Sequence, residues 1–296
     1  MSLPICVGYD GSDSCLPAVR WAAKEALIRR RPLEILYAFP VAPIGGGRDA
    51  SMLWPESRDL THYDAQRMLD EVLERVGKVN PGIDVTSKLL DSVNPAATLI
   101  SRSRRSELMV VGSRGRGGFA GLLLGSTSTR LATRGHCPVV VVREHDATGP
   151  HAGQVVVGVD TSPRSTPVLD FGFAEAAAAG VDLVAVHAWE YPWNLATTDV
   201  AVVVLDVEEA AAREEQMLSE ALAGYQERYP NVNVVRRLER GLPRTVLREL
   251  SAGAHLLAVG SRGHGQLAGM VLGSVSMSLL LHARAPVVVL RQRDDD

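Results

Sequence analysis

Two clusters of glycine and serine are the residues in this sequence best suited to chemistry. The first reads Gly112-x-x-Gly115, nine residues, then Gly125-Ser126-Thr127-Ser128. The second reads Gly260-x-x-Gly263, nine residues, then Gly273-Ser274-Val275-Ser276. Glycines there let the chain turn tightly through φ values that other residues resist. They also let main-chain N–H groups approach an anion without a Cβ in the way. A Gly-Ser pair opening a helix adds the free N–H groups of the first turn, with Ser as the cap and further hydroxyl donors at Ser128 and Ser276. This is phosphate-binding chemistry. One such loop would carry little weight, since every helix start needs its N–H groups satisfied. Two with one spacing carry more.

Each loop lies downstream of an acidic residue that closes an apolar run. Val7-Gly8-Tyr9-Asp10-Gly11-Ser12 recurs as Val157-Gly158-Val159-Asp160-Thr161-Ser162. An Asp in this position either caps the turn that follows or faces a ligand. Arg114 and Arg262, inside the loops, suit phosphate geometry as well as they suit a solvated turn. Other chemistries lack their parts. Gly115–Ala120 and Gly263–Ala268 fit G-x-G-x-x-A, but neither follows a first strand with an acidic residue about 20 positions on, as dinucleotide binding requires. The P-loop pattern is absent, and the only lysines are Lys24, Lys78 and Lys88, none near a glycine loop. Three cysteines, Cys6, Cys15 and Cys137, form no CxxC pair, which argues against a disulfide framework or a zinc site. A net charge of −3 gives no footprint for nucleic acid.

These loops need elements to hold them, and the chain supplies a duplicated set. Trp21–Ala26 matches Phe171–Ala176, Leu124-Gly125-Ser126 matches Leu272-Gly273-Ser274, and Cys137–Val141 matches Ala285–Val289. The offset drifts only from 150 to 148, so the 296 residues read as two domains, 1–144 and 154–296, around a polar linker at 145–153. Short Val/Ile/Leu runs alternate with helical stretches in each half. The pattern predicts strands Ile5–Tyr9, Leu33–Ala38, Val85–Leu90, Leu108–Gly112 and Val139–Arg143, with helices Cys15–Arg30, Thr61–Lys78, Ala96–Arg104 and Ser126–Arg134 between them. The second half repeats the order, with a long helix expected over Val207–Arg228. Alternating elements of this kind give a parallel, doubly wound α/β sheet. Its ligand sits beyond the carboxyl ends of the strands at the switch in winding.

On these motifs, over nearly its whole length, the sequence resembles the universal stress protein family, in the tandem-domain subgroup that binds ATP. The resemblance implies two five-stranded sheets of order 3-2-1-4-5 and an ATP across the strand ends of each. Asp10 and Asp160 would then touch ribose or a phosphate-bound Mg²⁺. Tyr9 and Val159 would line the same edge, and Ala38 and Ala188 would offer main-chain groups to adenine. Gly112, Arg114, Gly115, Gly125 and Ser126 to Ser128 would hold phosphates, as would Gly260, Arg262, Gly263, Gly273 and Ser274 to Ser276. Half one has Val93-Asn94-Pro95 where half two has Gly241-Leu242-Pro243, and the stretches Pro40–Leu60 and Glu190–Asp206 differ completely, so equal affinity is not implied.

The function expected is a nucleotide-dependent stress sensor or regulator acting on unidentified protein partners, rather than an enzyme. A slow ATPase and a nucleotide-free interaction scaffold are the alternatives. Phosphoryl transfer needs a positioned base and positive charge at the γ-phosphate, and no matched constellation for either stands in both halves. Met1–Pro4 has no basic and apolar leader, and Val200–Leu205, between Asp199 and Asp206, is too short for a membrane span. A cytoplasmic protein is expected.

Strand five of each half, Pro138–Arg143 and Pro286–Arg291, is almost wholly apolar and β-branched, a hazard if left as an open edge. The family resemblance implies dimers that pair these edges. Here an internal pseudo-dimer is expected, with pairing between two chains as the alternative; the ten residues 144–153 reach about 33 Å when extended. Replacing Val140 and Val288 with Lys should then lower the melting temperature and solubility. Unchanged values in the double variant would remove the expectation.

Overall fold

The computed structural model describes residues 2–41, 61–116, 123–144, 148–190, 207–261 and 272–291. The chain divides into two compact units, Met1–Glu144 and His145–Asp296. The first contains β1 (Ile5–Gly8), α1 (Leu16–Arg29), β2 (Leu33–Pro40), α2 (His62–Val79), β3 (Val85–Ser92), α3 (Pro95–Arg102), β4 (Leu108–Gly112), α4 (Ser126–Arg134) and β5 (Val139–Val142). All pairings are parallel, in the order β3-β2-β1-β4-β5. The strands read as continuous apolar runs because both faces are covered. Ile5, Cys6, Val7, Met109 and Val110 are fully buried.

The second unit repeats the arrangement with β6 (Val155–Gly158), α5 (Thr166–Ala179), β7 (Leu183–Trp189), α6 (Val207–Ala221), α7 (Tyr225–Arg228), β8 (Val234–Arg240), α8 (Pro243–Leu250), β9 (Leu256–Gly260), α9 (Ser274–His282) and β10 (Val287–Leu290). Its order, β8-β7-β6-β9-β10, is the same. In each unit the winding reverses between the first and fourth strands, where β1 lies beside β4 and β6 beside β9. That reversal opens the crevice in which such sheets bind ligands.

The expected boundaries hold to within about two residues, with one substantial correction. The helix expected over Val207–Arg228 is two helices, broken after Ala221 and resumed at Tyr225. Gly224 at the break has φ of +78°, a conformation that no helix interior accommodates and that glycine adopts without strain. Residues 148–153, expected within the linker, pack on the second unit: Gly153 donates its N–H to the Gly253 carbonyl (3.0 Å) and His151 is buried. Among the described residues no helix is long and apolar enough to cross a membrane.

One buried charge cluster distinguishes the first unit. Glu34 on β2 is only 5% exposed, yet it accepts from Arg102 Nε on α3 (3.0 Å) and pairs with Lys88 Nζ on β3 (2.6 Å). Burial alone would raise its carboxyl, but the hydrogen bonds and charges of Arg102 and Lys88 outweigh burial and hold it below the usual range. The second unit has hydrocarbon at two of the three matching positions, Val184 for Glu34 and Leu250 for Arg102, while Arg237 keeps a cation where Lys88 stands. Removing one partner of a buried pair strands the other, whereas exchanging both for apolar side chains is often neutral. Glu34→Val should therefore cost about 3 kcal/mol, and Glu34→Val/Arg102→Leu should recover most of it. Because the folded carboxyl is held low, its contribution is complete above about pH 5 and is lost as pH falls through the folded value. Denaturant titrations of the three proteins at pH 7 and pH 4 check both points; a double variant no better than the single would refute the account.

Candidate functional site

The site is built around the carboxylate that ends the first strand. In the first unit Asp10 Oδ1 accepts from the Ser12 N–H (3.0 Å), the Ser12 hydroxyl (2.6 Å) and the Cys15 thiol (3.0 Å). Its other oxygen accepts the Arg116 N–H at 2.7 Å. The glycine loop leaving β4 is thus seated on Asp10. A Cβ on Gly115 would lie 2.3 Å from Asp10 Oδ2, and one on Gly112 would lie 3.1 Å from the Arg114 carbonyl. Neither glycine is among the positive-φ residues. Close approach, rather than the unusual φ expected from the sequence, is what requires glycine here.

Gly125, not Ser126, is the N-cap of α4, and no side chain caps that helix. The first intrahelical bond runs from Thr129 N–H to the Gly125 carbonyl (3.0 Å). The N–H groups of Ser126, Thr127 and Ser128 therefore have no acceptor within the helix and stand at its positive end. The Ser128 hydroxyl is buried and gives its hydrogen to the Gly112 carbonyl (2.6 Å). Ser128 thus ties the helix to β4 instead of offering a donor to a ligand. Arg114 is exposed. The guanidinium of Arg143, just beyond β5, is pushed down by burial and by the Arg114 charge, so two cations stand near the same loop. Tyr9 is half-buried, its hydroxyl pushed up by burial and by Cys15 and Asp10. Arg116 reaches over the site, with NH1 3.5 Å from the Tyr37 hydroxyl and NH2 3.4 Å from Met68 Sδ. Ala38 is an inner residue of β2, which continues to Pro40.

The second unit keeps the plan with different side chains. Asp160 Oδ1 accepts from the Ser162 N–H (3.1 Å) and hydroxyl (2.8 Å) and from the Ser165 hydroxyl. Ser165 occupies the position of Cys15. Thr161, where the first unit has Gly11 at φ +80°, is held at φ +57° with its hydroxyl on the Asp160 carbonyl (2.7 Å). A β-branched residue in that region is strained. Gly273 is the N-cap of α9, and the buried Ser276 hydroxyl donates to the Gly260 carbonyl.

Here the strand ends enclose a cavity of about 320 Å³. Asp160, Val159 and Ala188 line it, together with Gly260, Gly273 and Ser274 to Ser276. Val168, Val186, Leu247 and Val259 make an apolar wall, and Arg164 and His187 add polar groups. Sequence reasoning missed Arg116, Arg164, Ser165 and a site role for His187. The signal that was available is the repeat itself, which aligns Cys15 with Ser165 as donors to the same carboxylate oxygen. Arg262, Gly263, residues 117–120 and 264–268 of the G-x-G-x-x-A stretches and residues 42–60 and 191–206 of the unlike inserts lie outside the described residues.

Asp10 Oδ1 is occupied by three donors, whereas Oδ2 accepts only the Arg116 N–H and keeps a second lone pair for a cation. The N-terminus of α4 is the contact suited to phosphate itself.

The universal stress protein family profile matches residues 1–143 and 152–291. A universal stress protein of Mycobacterium tuberculosis, Rv2623, is 39% identical over 298 residues, covering 98% of this chain and 97% of that protein. The crystal structure of a universal stress protein from Archaeoglobus fulgidus superimposes with a TM-score of 0.63 at 20% identity, over 99% of this chain and 98% of that one. Solved universal stress proteins in complex with cAMP and, from Archaeoglobus fulgidus, with dAMP align with 48% of this chain and 98% of their own, at TM-scores of 0.35 and 0.36 and identities of 26% and 21%. With a family match over each unit and a relative of 39% identity spanning both, this chain belongs to the universal stress protein family.

Proposed function

We propose that the chain binds ATP at the carboxyl ends of its strands and acts as a nucleotide-dependent regulator in the stress response. The observation that carries this reading is the cavity of the second unit, apolar on one side and closed on the other by the N-terminus of α9. An adenosine fits the chemistry of the apolar side, between Val159, Ala188 and Leu247. Asp160 is a hydrogen-bond acceptor suited to ribose hydroxyls. The N–H groups of residues 274–276 and the α9 dipole favour the phosphates. The first unit presents the same parts in Asp10, Gly112, Gly115, Gly125 and residues 126–128, giving two nucleotides per chain.

The test separates anion binding from folding. Asp at the first position of a helix suits the helix dipole but places a negative charge on the proposed phosphate site. Ser126→Asp and Ser274→Asp should each keep or raise the melting temperature. Each should weaken ATP at its own unit on the order of tenfold or more, as like charges in contact demand. Calorimetry should give two equivalents for the parent and none for the double variant at micromolar protein. Undiminished ATP affinity in the double variant would refute the assignment.

Gly115→Ala tests the seating of the first loop. Its Cβ would collide with the Asp10 carboxylate, so the Arg116 contact must break and the first unit should lose affinity while the second keeps its own. A titration still showing two unaltered sites would mean that the loop plays no part in binding.

A further inference from the structure

The cavity wall of the second unit contains an imidazole with an oxygen acceptor at each nitrogen. His187 on β7 is 6% exposed. Its Nδ1 lies 2.9 Å from the Val159 carbonyl oxygen and its Nε2 lies 2.8 Å from Glu214 Oε2 on α6. Neither a carbonyl nor a carboxylate can donate, and a neutral imidazole has one N–H. Both contacts therefore coexist only when His187 and Glu214 together hold one proton more than a neutral imidazole and a carboxylate. Among the described residues, the elements around the ring bring few other charges. Leu238 of β8 lies opposite in register, α8 brings Leu247 and α5 brings Val168. Among the described residues, Asp160 and Arg164, between β6 and α5, are the other charged groups lining the cavity. On α6 itself, Arg213 pairs with Glu209.

The first unit supplies an internal comparison. Met68-Leu69 on α2 aligns with Met217-Leu218 on α6, and both leucines are fully buried. That frame places Ala65 where Glu214 stands, and Tyr37 where His187 stands. The titrating pair has been exchanged as a pair.

We infer that His187 and Glu214 form a proton-dependent tether between α6 and β7, and that it makes ligand affinity in the second unit, but not the first, respond to pH. When the shared proton leaves, a nitrogen lone pair faces an oxygen lone pair. Relief comes from rotating the ring or drawing α6 away, and either alters the wall beside Val159 and Ala188. The cavity is then less preorganised and binds more weakly as pH rises. The affinity part rests on the nucleotide reading above; the tether does not.

The experiment has two arms on the full chain. In the ligand-free arm, hydrogen exchange of α6, corrected for intrinsic rates, is compared at pH 6 and pH 8. Protection should fall about fivefold in the parent, as expected for one hydrogen bond. In Glu214→Gln it should not change, because the amide can donate to a neutral Nε2 or accept from an imidazolium. His187→Tyr/Glu214→Ala, which installs the first unit's own residues, should also be flat and guards against a folding defect in the other variant. In the ligand arm, ATP affinity of the second unit is read at both pH values in a Ser126→Asp background. The ratio should exceed that of Glu214→Gln by about fivefold, with the titration of ATP itself cancelling. Identical exchange profiles in parent and Glu214→Gln would overturn the tether. A pH-dependent profile with equal affinity ratios would overturn its link to the site. A pH-dependent profile with no ATP bound at either pH would support the tether and refute the nucleotide reading instead.

Discussion

Each unit depends on one carboxylate at the end of its first strand. Asp10 and Asp160 gather donors from residues two and five positions on, which turns the chain from β1 into α1 and from β6 into α5. The parallel order sets the first strand beside the fourth, so the loop leaving β4 must pass this carboxylate. In the first unit it does so closely enough to donate the Arg116 N–H and to leave no room for a Cβ at Gly115. The glycine pattern is thus a consequence of where the carboxylate stands. The next glycine, Gly125, then starts α4 with its first N–H groups uncommitted. Fold and site share a single constraint, and a change at Asp10 would be felt by the turn, the loop and the helix start together.

Much of this was legible in the sequence. The period, the element sequence and the loop position follow from runs of Val, Ile and Leu alternating with helical stretches, each seen twice, whereas the strand order 3-2-1-4-5 came only with the family resemblance. What escaped was set by tertiary geometry. The break in α6 rests on one glycine inside a strong helical pattern, and Gly224 carries no local mark distinguishing it from the tolerated Gly77 within α2. The roles of Ser128 and Ser276 as ties to the preceding strand, rather than as ligand donors, depend on a carbonyl sixteen residues away. The partner of His187 lies twenty-seven positions on, beyond the reach of any local pattern.

The two halves also show how one architecture accepts different solutions. The buried Glu34–Arg102 pair in one unit stands against valine and leucine in the other. Tyrosine with alanine stands against histidine with glutamate, thiol against hydroxyl, and a relaxed glycine against a strained threonine. These exchanges alter charge, hydrogen bonding or backbone strain while the order of strands and helices stays the same, which is the freedom that a duplicated domain allows.

All three cysteines, Cys6, Cys15 and Cys137, belong to the first unit. Burial is the chief cause that raises each thiol, Cys6 to about 11 and Cys15 and Cys137 to about 12. A thiolate is the reactive form, so the buried Cys6 and Cys15 and the half-buried Cys137 are expected to react slowly with alkylating reagents at neutral pH in the folded first unit and faster when it opens. The second unit is silent to such reagents in every state. The chain therefore carries its own one-sided chemical reporter: the rate of alkylation under graded denaturant measures the opening of the first unit alone, with no label and no substitution introduced.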